Sequence, residues 1–143
     1  MTLLRDTYHG PAGGFRPRQR RFEPKAALAR DWHGGSAFRT AWFNAMSMLF
    51  PLGEKFFIDS VRAYSDRIEE DDLRAEVRAF QGQESVHRRE HQRYNEALCE
   101  ARGYDLEEFE GPVRRRIAWA KGHFNERRLL SGTVANEHLT AIM

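Results

Sequence analysis

The strongest constraint on the fold is a long row of mostly apolar residues in the middle of the chain, interrupted by three polar ones. Successive members lie four or three residues apart: Leu73, Val77, Phe80, Glu84, His87, His91, Tyr94 and Leu98. This spacing keeps side chains on one face of an α-helix. The row therefore predicts a long helix that begins near Asp71, ends at Gly103 and buries Glu84, His87 and His91 on its inner face.

Two further helical rows also carry a glutamate among apolar residues. One follows Pro51, and the other lies at the end of the sequence. Their members are Glu54, Phe57, Val61, Tyr64 and Ile68 in the first row, and Leu130, Val134, Glu137 and Ala141 in the second. The pattern predicts one inward-facing glutamate on each of these helices.

The remaining elements are also predicted to be helical. Ser36 is a suitable N-cap for a short helix that ends at Pro51, with an apolar row formed by Phe38, Trp42, Ala45 and Leu49. Asp105 can cap another helix, whose row is Leu106, Phe109, Val113, Ile117, Ala120 and Phe124. Because no alternating run of β-branched residues suits a sheet, an all-α fold is predicted.

Residues 1–35 differ from the rest of the chain because they are rich in proline, glycine and arginine and show no apolar periodicity. We interpret them as a flexible arm, followed by a helical metal-binding domain over residues 36–143. The net charge is only +2, which gives nucleic-acid binding no support. Cys99 is the single cysteine, and no segment has the apolar run of a signal peptide or a membrane span, so we expect a cytoplasmic protein.

The inward-facing polar residues indicate a metal site. An ionised carboxylate without a partner is costly to bury, whereas a divalent cation can hold several carboxylates and neutral imidazoles together. Glu84 and His87 form a Glu-x-x-His pair, which places an oxygen and a nitrogen on one helical face. We therefore predict a divalent metal held by Glu54, Glu84, His87 and Glu137.

Each of these residues also has an ordinary interpretation. Glu54 could interact with the dipole at a helix start, and Glu84 and His87 could be a solvated or hydrogen-bonded pair. His91 could be a further ligand, a group that orients a glutamate, or a core histidine with satisfied hydrogen bonds. His138 is interpreted as a supporting or surface residue. We expect no role in the site for four other residues: His9, His33, His123 and Cys99.

The same residues lie in three blocks that resemble a bacterial family, the predicted metal-dependent hydrolases. The blocks are Phe50-Pro51-Leu52-Gly53-Glu54, Gln83-Glu84-Ser85-Val86-His87-Arg88-Arg89-Glu90-His91 and Ala135-Asn136-Glu137-His138-Leu139. The resemblance runs from about residue 22 to the C-terminus.

That family is similar in turn to ferritin-like carboxylate bundles, in which two single glutamates and two Glu-x-x-His pairs hold a dinuclear centre. The resemblance implies that Glu54 and Glu137 take the single-glutamate places and that Glu84 and His87 form one pair. The second pair has no counterpart in this sequence, and family members are usually longer. We therefore expect an incomplete ferritin-like bundle, corresponding to an N-terminal half, with iron as the expected metal and manganese or zinc as alternatives.

Three functions are consistent with the predicted ligands and with the family resemblance. The first is a metal-dependent hydrolase in which a metal-bound water attacks a small-molecule substrate of unidentified structure. The second is a di-iron or iron–manganese oxidase or oxygenase on the same site. The third is a truncated, non-catalytic helical module that completes its bundle as a homodimer.

Overall fold

The computed structural model describes residues 17–19, 21–22 and 25–142, and most of them belong to helices. The helices are α1 (Lys25–Leu28), α2 (Ala37–Arg62), α3 (Asp71–Arg102), α4 (Leu106–His123) and α5 (Glu126–Ile142), with a 3₁₀ turn at Ser65–Arg67. No strand occurs within these described ranges, which confirms the all-α prediction. Among these helices, none is both long enough and apolar enough to cross a membrane.

The bundle is organised around α2. This helix packs most extensively against α3 and also contacts α4 and α5. Lys121 of α4 forms an ion pair with Asp59 of α2 at 2.8 Å. On α5, the hydroxyl of Thr133 is hydrogen bonded to that of Ser60 on α2 at 2.7 Å, and both residues are buried. Glu137 lies one turn beyond Thr133, so it faces the same side of the bundle.

The predicted helix ends of α2, α3 and α4 are confirmed where capping residues mark them. The side chain of Ser36 accepts a hydrogen bond from the Arg39 amide at the start of α2. α3 begins at Asp71, and Gly103 ends it in the left-handed conformation, with φ of 69°. Asp105 caps α4 by accepting hydrogen bonds from two backbone amides. Glycine suits the left-handed position because it has no Cβ to clash.

The prediction that a short helix ends at Pro51 is wrong, because α2 continues through this residue to Arg62. Proline has no N–H, so the carbonyl of Ser47, four residues earlier, receives no hydrogen bond from within the helix. Nδ2 of Asn95, on α3, donates to that carbonyl at 2.9 Å. Asn95 is fully buried and supplies the bond that proline cannot. The second predicted helix is therefore the C-terminal part of α2. It ends earlier than predicted, because Tyr64 and Ile68 lie beyond Arg62.

The predicted apolar face of the first part of α2 is also wrong. Phe38 is 76% exposed and Trp42 is 56% exposed, and Leu49 and Ala45 are exposed as well. The buried face contains mainly polar residues: Thr40, Asn44, Ser47, Met48, Pro51, Glu54, Ile58 and Ser60. These polar side chains can be buried because α3 and the preceding loop supply partners. Oδ1 of Asn44, for example, accepts from the hydroxyl of Tyr94 at 2.7 Å and from the Trp32 indole at 3.0 Å.

The apolar row predicted on α5 is only partly buried. Val134 is 63% exposed, and Ala141 is exposed as well. Thr133 is instead the buried residue of this helix. A threonine is favoured there because its hydroxyl meets that of Ser60, so the polar contact with α2 sets the rotation of α5.

Part of the segment before residue 36 contacts α3. Leu28 is 1% exposed, and its carbonyl accepts a hydrogen bond from Nε of Arg102 at 2.8 Å. The amide of Phe22 donates to Glu90 at 3.1 Å. Residues 1–16 of the predicted arm lie outside the described residues, and so does His9. The division at residue 35 stays a prediction.

The role of Asn95 can be tested with a double-mutant cycle. Asn95→Ala leaves the buried Ser47 carbonyl and hydroxyl without this partner, so we expect a loss of about 2–3 kcal/mol in the free energy of unfolding. In a Pro51→Ala background, the backbone N–H at position 51 can bond to the Ser47 carbonyl. The cost of Asn95→Ala should then fall by about 1 kcal/mol, measured by chemical denaturation.

The matched control replaces the other proline that lies inside a helix, Pro112 of α4. Combining Pro112→Ala with Asn95→Ala should give additive losses, because the two residues share no partner. If Asn95→Ala has the same coupling free energy with Pro51→Ala as with Pro112→Ala, the role assigned to Asn95 is wrong.

Candidate metal centre

Three of the predicted ligands come together between α2 and α3. Glu54 of α2 and Glu84 and His87 of α3 each offer one ligand atom, and these atoms all lie within 4.8 Å of one another. Glu54 is 5% exposed and Glu84 is 3% exposed. Nδ1 of His87 lies 3.5 Å from Oε1 of Glu84, the contact expected for residues one turn apart on the same helix.

Glu54 is the residue most in need of a positive partner. Its Oε2 is buried and has no hydrogen-bond partner among the described residues. Burial, and then the negative charge of Glu84, raise the pKa of the Glu54 carboxyl from 4.5 to about 8. A cation would supply both the missing contact and the opposite charge, so the residues present fit a divalent metal.

The prediction that His87 is buried is wrong, because its side chain is 48% exposed and forms the outer side of the cluster. Its polar contact with the Glu84 carboxylate raises the pKa of the imidazole above its usual value, although burial acts in the opposite direction. The side chain borders two cavities, of about 750 Å³ and about 730 Å³. The imidazole of His87 is therefore accessible from both cavities.

Glu137 lies near the cluster but is not part of the group of three. It lines the same 730 Å³ cavity as Glu54, Glu84 and His87. Burial, and then the charge of Glu84, raise the pKa of its carboxyl above the usual value. α5 thus brings Glu137 to the same cavity, and its role as a ligand stays a prediction.

His91 lies beside the group of three and has a hydrogen-bond partner on one of its two ring nitrogens. Nδ1 lies 2.9 Å from Oγ of Ser47, and Nε2 lies 3.8 Å from Oε1 of Glu54. The ring also packs edge-on against Phe50, with centroids 4.7 Å apart. Burial, and then the positive charge of His87, lower the pKa of this imidazole to about 4. His91 is therefore neutral near pH 7.

The other histidines among the described residues do not join the cluster. His138 is exposed on α5 and does not line the cavity. His33 stacks on Phe43, and Nδ1 of His123 bonds to the carbonyl of Trp119. Cys99 is half-buried at the core near Leu98.

The sequence reasoning missed the polar residues that support the site, above all Ser47 and Asn95. Both are buried and hydrogen bonded to each other. A signal for Ser47 was present, because Asn44, Ser47, Pro51, Glu54 and Ile58 are spaced three, four, three and four residues apart. Interpreting Pro51 as a helix end divides this row in two and hides the pattern.

The cavity at the cluster is mainly apolar. Its apolar lining residues are Trp42, Met46, Leu49, Phe50, Phe56, Phe57, Val113, Ile117, Ala120 and Leu139. Its polar lining residues outside the predicted ligands are Gln83, Arg116, Asn136 and Thr140. A ligand in this cavity would contact the carboxylate–histidine cluster at one wall and apolar side chains on the others.

The fold and the cluster together define a helical protein with a carboxylate–histidine site between its helices. The chain matches the family described as predicted metal-dependent hydrolase over residues 16–143, and it belongs to that family. This finding confirms the resemblance inferred from the three sequence blocks. No curated protein and no solved structure matches the chain.

The raised pKa of Glu54 predicts how the stability of the metal-free protein depends on pH. The folded protein keeps this proton up to about pH 8, whereas the unfolded chain releases it near 4.5. Between these two pH values the folded state therefore binds more protons than the unfolded chain. The stabilisation that this proton gives decreases over the range and is lost once the pH has risen through 8. The slope from this one group is at most about 1.4 kcal/mol per pH unit.

Glu54→Gln should remove this contribution, because an amide does not ionise. We expect the free energy of unfolding of the variant, relative to the unaltered protein, to increase between pH 5 and pH 8, as followed by chemical denaturation without metal. Glu100→Gln, at an exposed position of α3, is the matched control and should leave the pH profile unchanged. If the free energy of unfolding of Glu54→Gln changes with pH in parallel with that of the unaltered protein, the raised pKa assigned to Glu54 is wrong.

Proposed function

We propose that this protein is a metal-dependent hydrolase whose divalent metal is held by Glu54, Glu84 and His87, with Glu137 completing the ligand set. The observation that carries the proposal is the convergence of three ligand atoms within 4.8 Å, two of them on carboxylates that are almost completely buried. Membership in the predicted metal-dependent hydrolases supports the same reaction class.

The protein's own groups define what each part of the site would do. Glu54 and Glu84 provide negative charge at the buried side, and His87 provides a nitrogen at the accessible side. A bound divalent cation would lower the pKa of a coordinated water and polarise the bond to be cleaved. The carboxylate of Glu137 faces the same cavity from α5, where it can bind the metal.

The cavity supports a substrate with an apolar portion. Trp42, Phe56, Ile117 and Leu139 form apolar walls around the carboxylate–histidine cluster. Burying an apolar group against such walls is favourable by about 25 cal/mol per Å² removed from water. We infer that the hydrolysed bond belongs to a molecule with an acyl or aromatic group large enough to occupy this cavity.

The metal site can be tested by combining Glu84→Gln with His87→Asn. Both substitutions remove a ligand at similar volume, so we expect the purified double variant to retain no stoichiometric metal, as measured by elemental analysis after reconstitution. The unaltered protein should hold one or two ions per chain. Circular dichroism checks that the helices are intact.

The matched control combines Glu100→Gln with His123→Asn, which removes the same two residue types at exposed positions away from the cluster. This variant should keep its full metal content. Full metal content in the Glu84/His87 variant as well would overturn the site assignment. Absence of hydrolysis of acyl esters by the metal-loaded unaltered protein would leave the site but overturn the reaction.

An oxidase or oxygenase is a second candidate on the same site. It is favoured by the ligand chemistry, since carboxylate oxygens outnumber imidazole nitrogens in a set that suits iron or manganese. The iron-loaded protein would then consume oxygen in the presence of a reducing agent, whereas the zinc-loaded protein would not. Hydrolysis by the zinc-loaded protein would favour the first candidate.

We also propose, as a candidate from another class, that a second copy of the chain covers the apolar walls of the cavity. Trp42 and Leu139 are each 56% exposed, and with Leu49 they line the same cavity, so they offer an apolar surface of the kind that marks interaction sites. We expect a homodimer in sedimentation equilibrium that Leu139→Lys converts to a monomer. Leu73→Lys, at an exposed leucine outside the cavity, is the control and should remain dimeric.

A further inference from the structure

The orientation of the Asn95 amide is fixed by the proline in α2. Because Pro51 has no N–H, the Ser47 carbonyl is available as an acceptor, and Nδ2 of Asn95 donates to it at 2.9 Å. The opposite orientation of the amide would place its oxygen against this carbonyl, so that two acceptors would face each other. Oδ1 of Asn95 must therefore point toward the side chain of Ser47.

This orientation determines the direction of the next hydrogen bond. Oγ of Ser47 lies 2.8 Å from Oδ1 of Asn95, and only the hydroxyl can donate in that pair. A serine hydroxyl has one proton. Toward its other neighbour, Nδ1 of His91 at 2.9 Å, Oγ of Ser47 must therefore act as an acceptor.

The tautomer of His91 follows from that constraint. Nδ1 carries the proton and donates it to Ser47, so Nε2 of the neutral imidazole has a free lone pair. This nitrogen lies 3.8 Å from Oε1 of Glu54. The separation is too long for a hydrogen bond, which requires roughly 2.7–3.2 Å. The lone pair of Nε2 therefore faces the Glu54 carboxyl without a hydrogen bond, beside the buried and unpartnered Oε2.

We propose that Nε2 of His91 is an additional ligand of the metal held by Glu54. The hydrogen bonds that join Asn95, Ser47 and His91, which the missing N–H of Pro51 orients, keep its lone pair available for that purpose. Two ligand atoms bound to one ion at about 2.0–2.2 Å lie roughly 3–4 Å apart, which agrees with the separation from Glu54. The proposal rests on the proposed metal site, and it adds a second nitrogen donor to it.

The first test needs no metal. Long-range ¹H–¹⁵N NMR of the metal-free protein at neutral pH distinguishes a protonated ring nitrogen from one with a free lone pair. We expect Nδ1 of His91 to be protonated and Nε2 to be unprotonated. Ser47→Ala should give a mixture of the two tautomers, because the acceptor that selects one of them is lost. Protonation of Nε2 in the unaltered protein would overturn the proposal.

The second test measures binding of cobalt(II) by calorimetry and by visible absorption. His91→Leu should weaken binding by more than about 100-fold, beyond the range typical of losing a group that only orients a ligand, and change the cobalt spectrum, because one nitrogen donor is lost. Ser47→Ala should weaken binding by a smaller factor and keep the spectrum. His123→Leu removes an exposed histidine outside the cluster and should match the unaltered protein in both measurements.

The outcomes separate this inference from the proposed function. If the unaltered protein binds cobalt and His91→Leu binds it equally well with the same spectrum, His91 is not a ligand, and the site formed by Glu54, Glu84 and His87 stands. If the unaltered protein binds no cobalt, the proposed site itself is overturned, and this inference with it.

Discussion

The side chain of Asn95 joins the two longest helices at the level of the site, and much of the structure depends on it. It bonds at once to the backbone carbonyl and to the hydroxyl of Ser47, so α3 is attached to α2 by directional contacts. Apolar surfaces tolerate small displacements, whereas buried hydrogen bonds lose about 1–3 kcal/mol when a partner is left unpaired. Because Glu54 lies less than two turns after Ser47 in the same helix, these bonds also fix its height relative to Glu84 and His87.

The site brings together carboxyl groups whose negative charges would repel one another if both were ionised in the metal-free protein. Two buried carboxyls lie close together, and the one on Glu54 keeps its proton up to about pH 8 because burial and its neighbour disfavour the charged form. The α2–α3 interface must therefore be stable enough to hold the cluster together without a metal. The polar contacts of Asn44, Ser47 and Asn95 provide that stability, since each makes hydrogen bonds within the interface.

The sequence was most informative where local chemistry determines structure. The row from Leu73 to Leu98, the cap at Asp105 and the left-handed Gly103 correctly predicted α3 and the start of α4. The convergence of Glu54, Glu84 and His87 was also predictable, because each residue breaks an apolar pattern. The course of α2 was not, since the partner that allows the helix to continue through Pro51 is Asn95, distant in the sequence. For the same reason the exposure of Phe38 and Trp42 was missed: hydropathy favoured burying them, but hydrogen bonds across the interface selected the polar face.

The position of His87 has a further consequence, because its side chain lines two cavities. One is the mainly apolar cavity that contains Glu137, and the other is lined by Arg18, Ser47, Glu90 and His91 together with aromatic residues. A bulky apolar molecule that filled the first cavity would displace the solvent from it. His87 would still border the second cavity, so one side of the cluster would keep contact with solvent there.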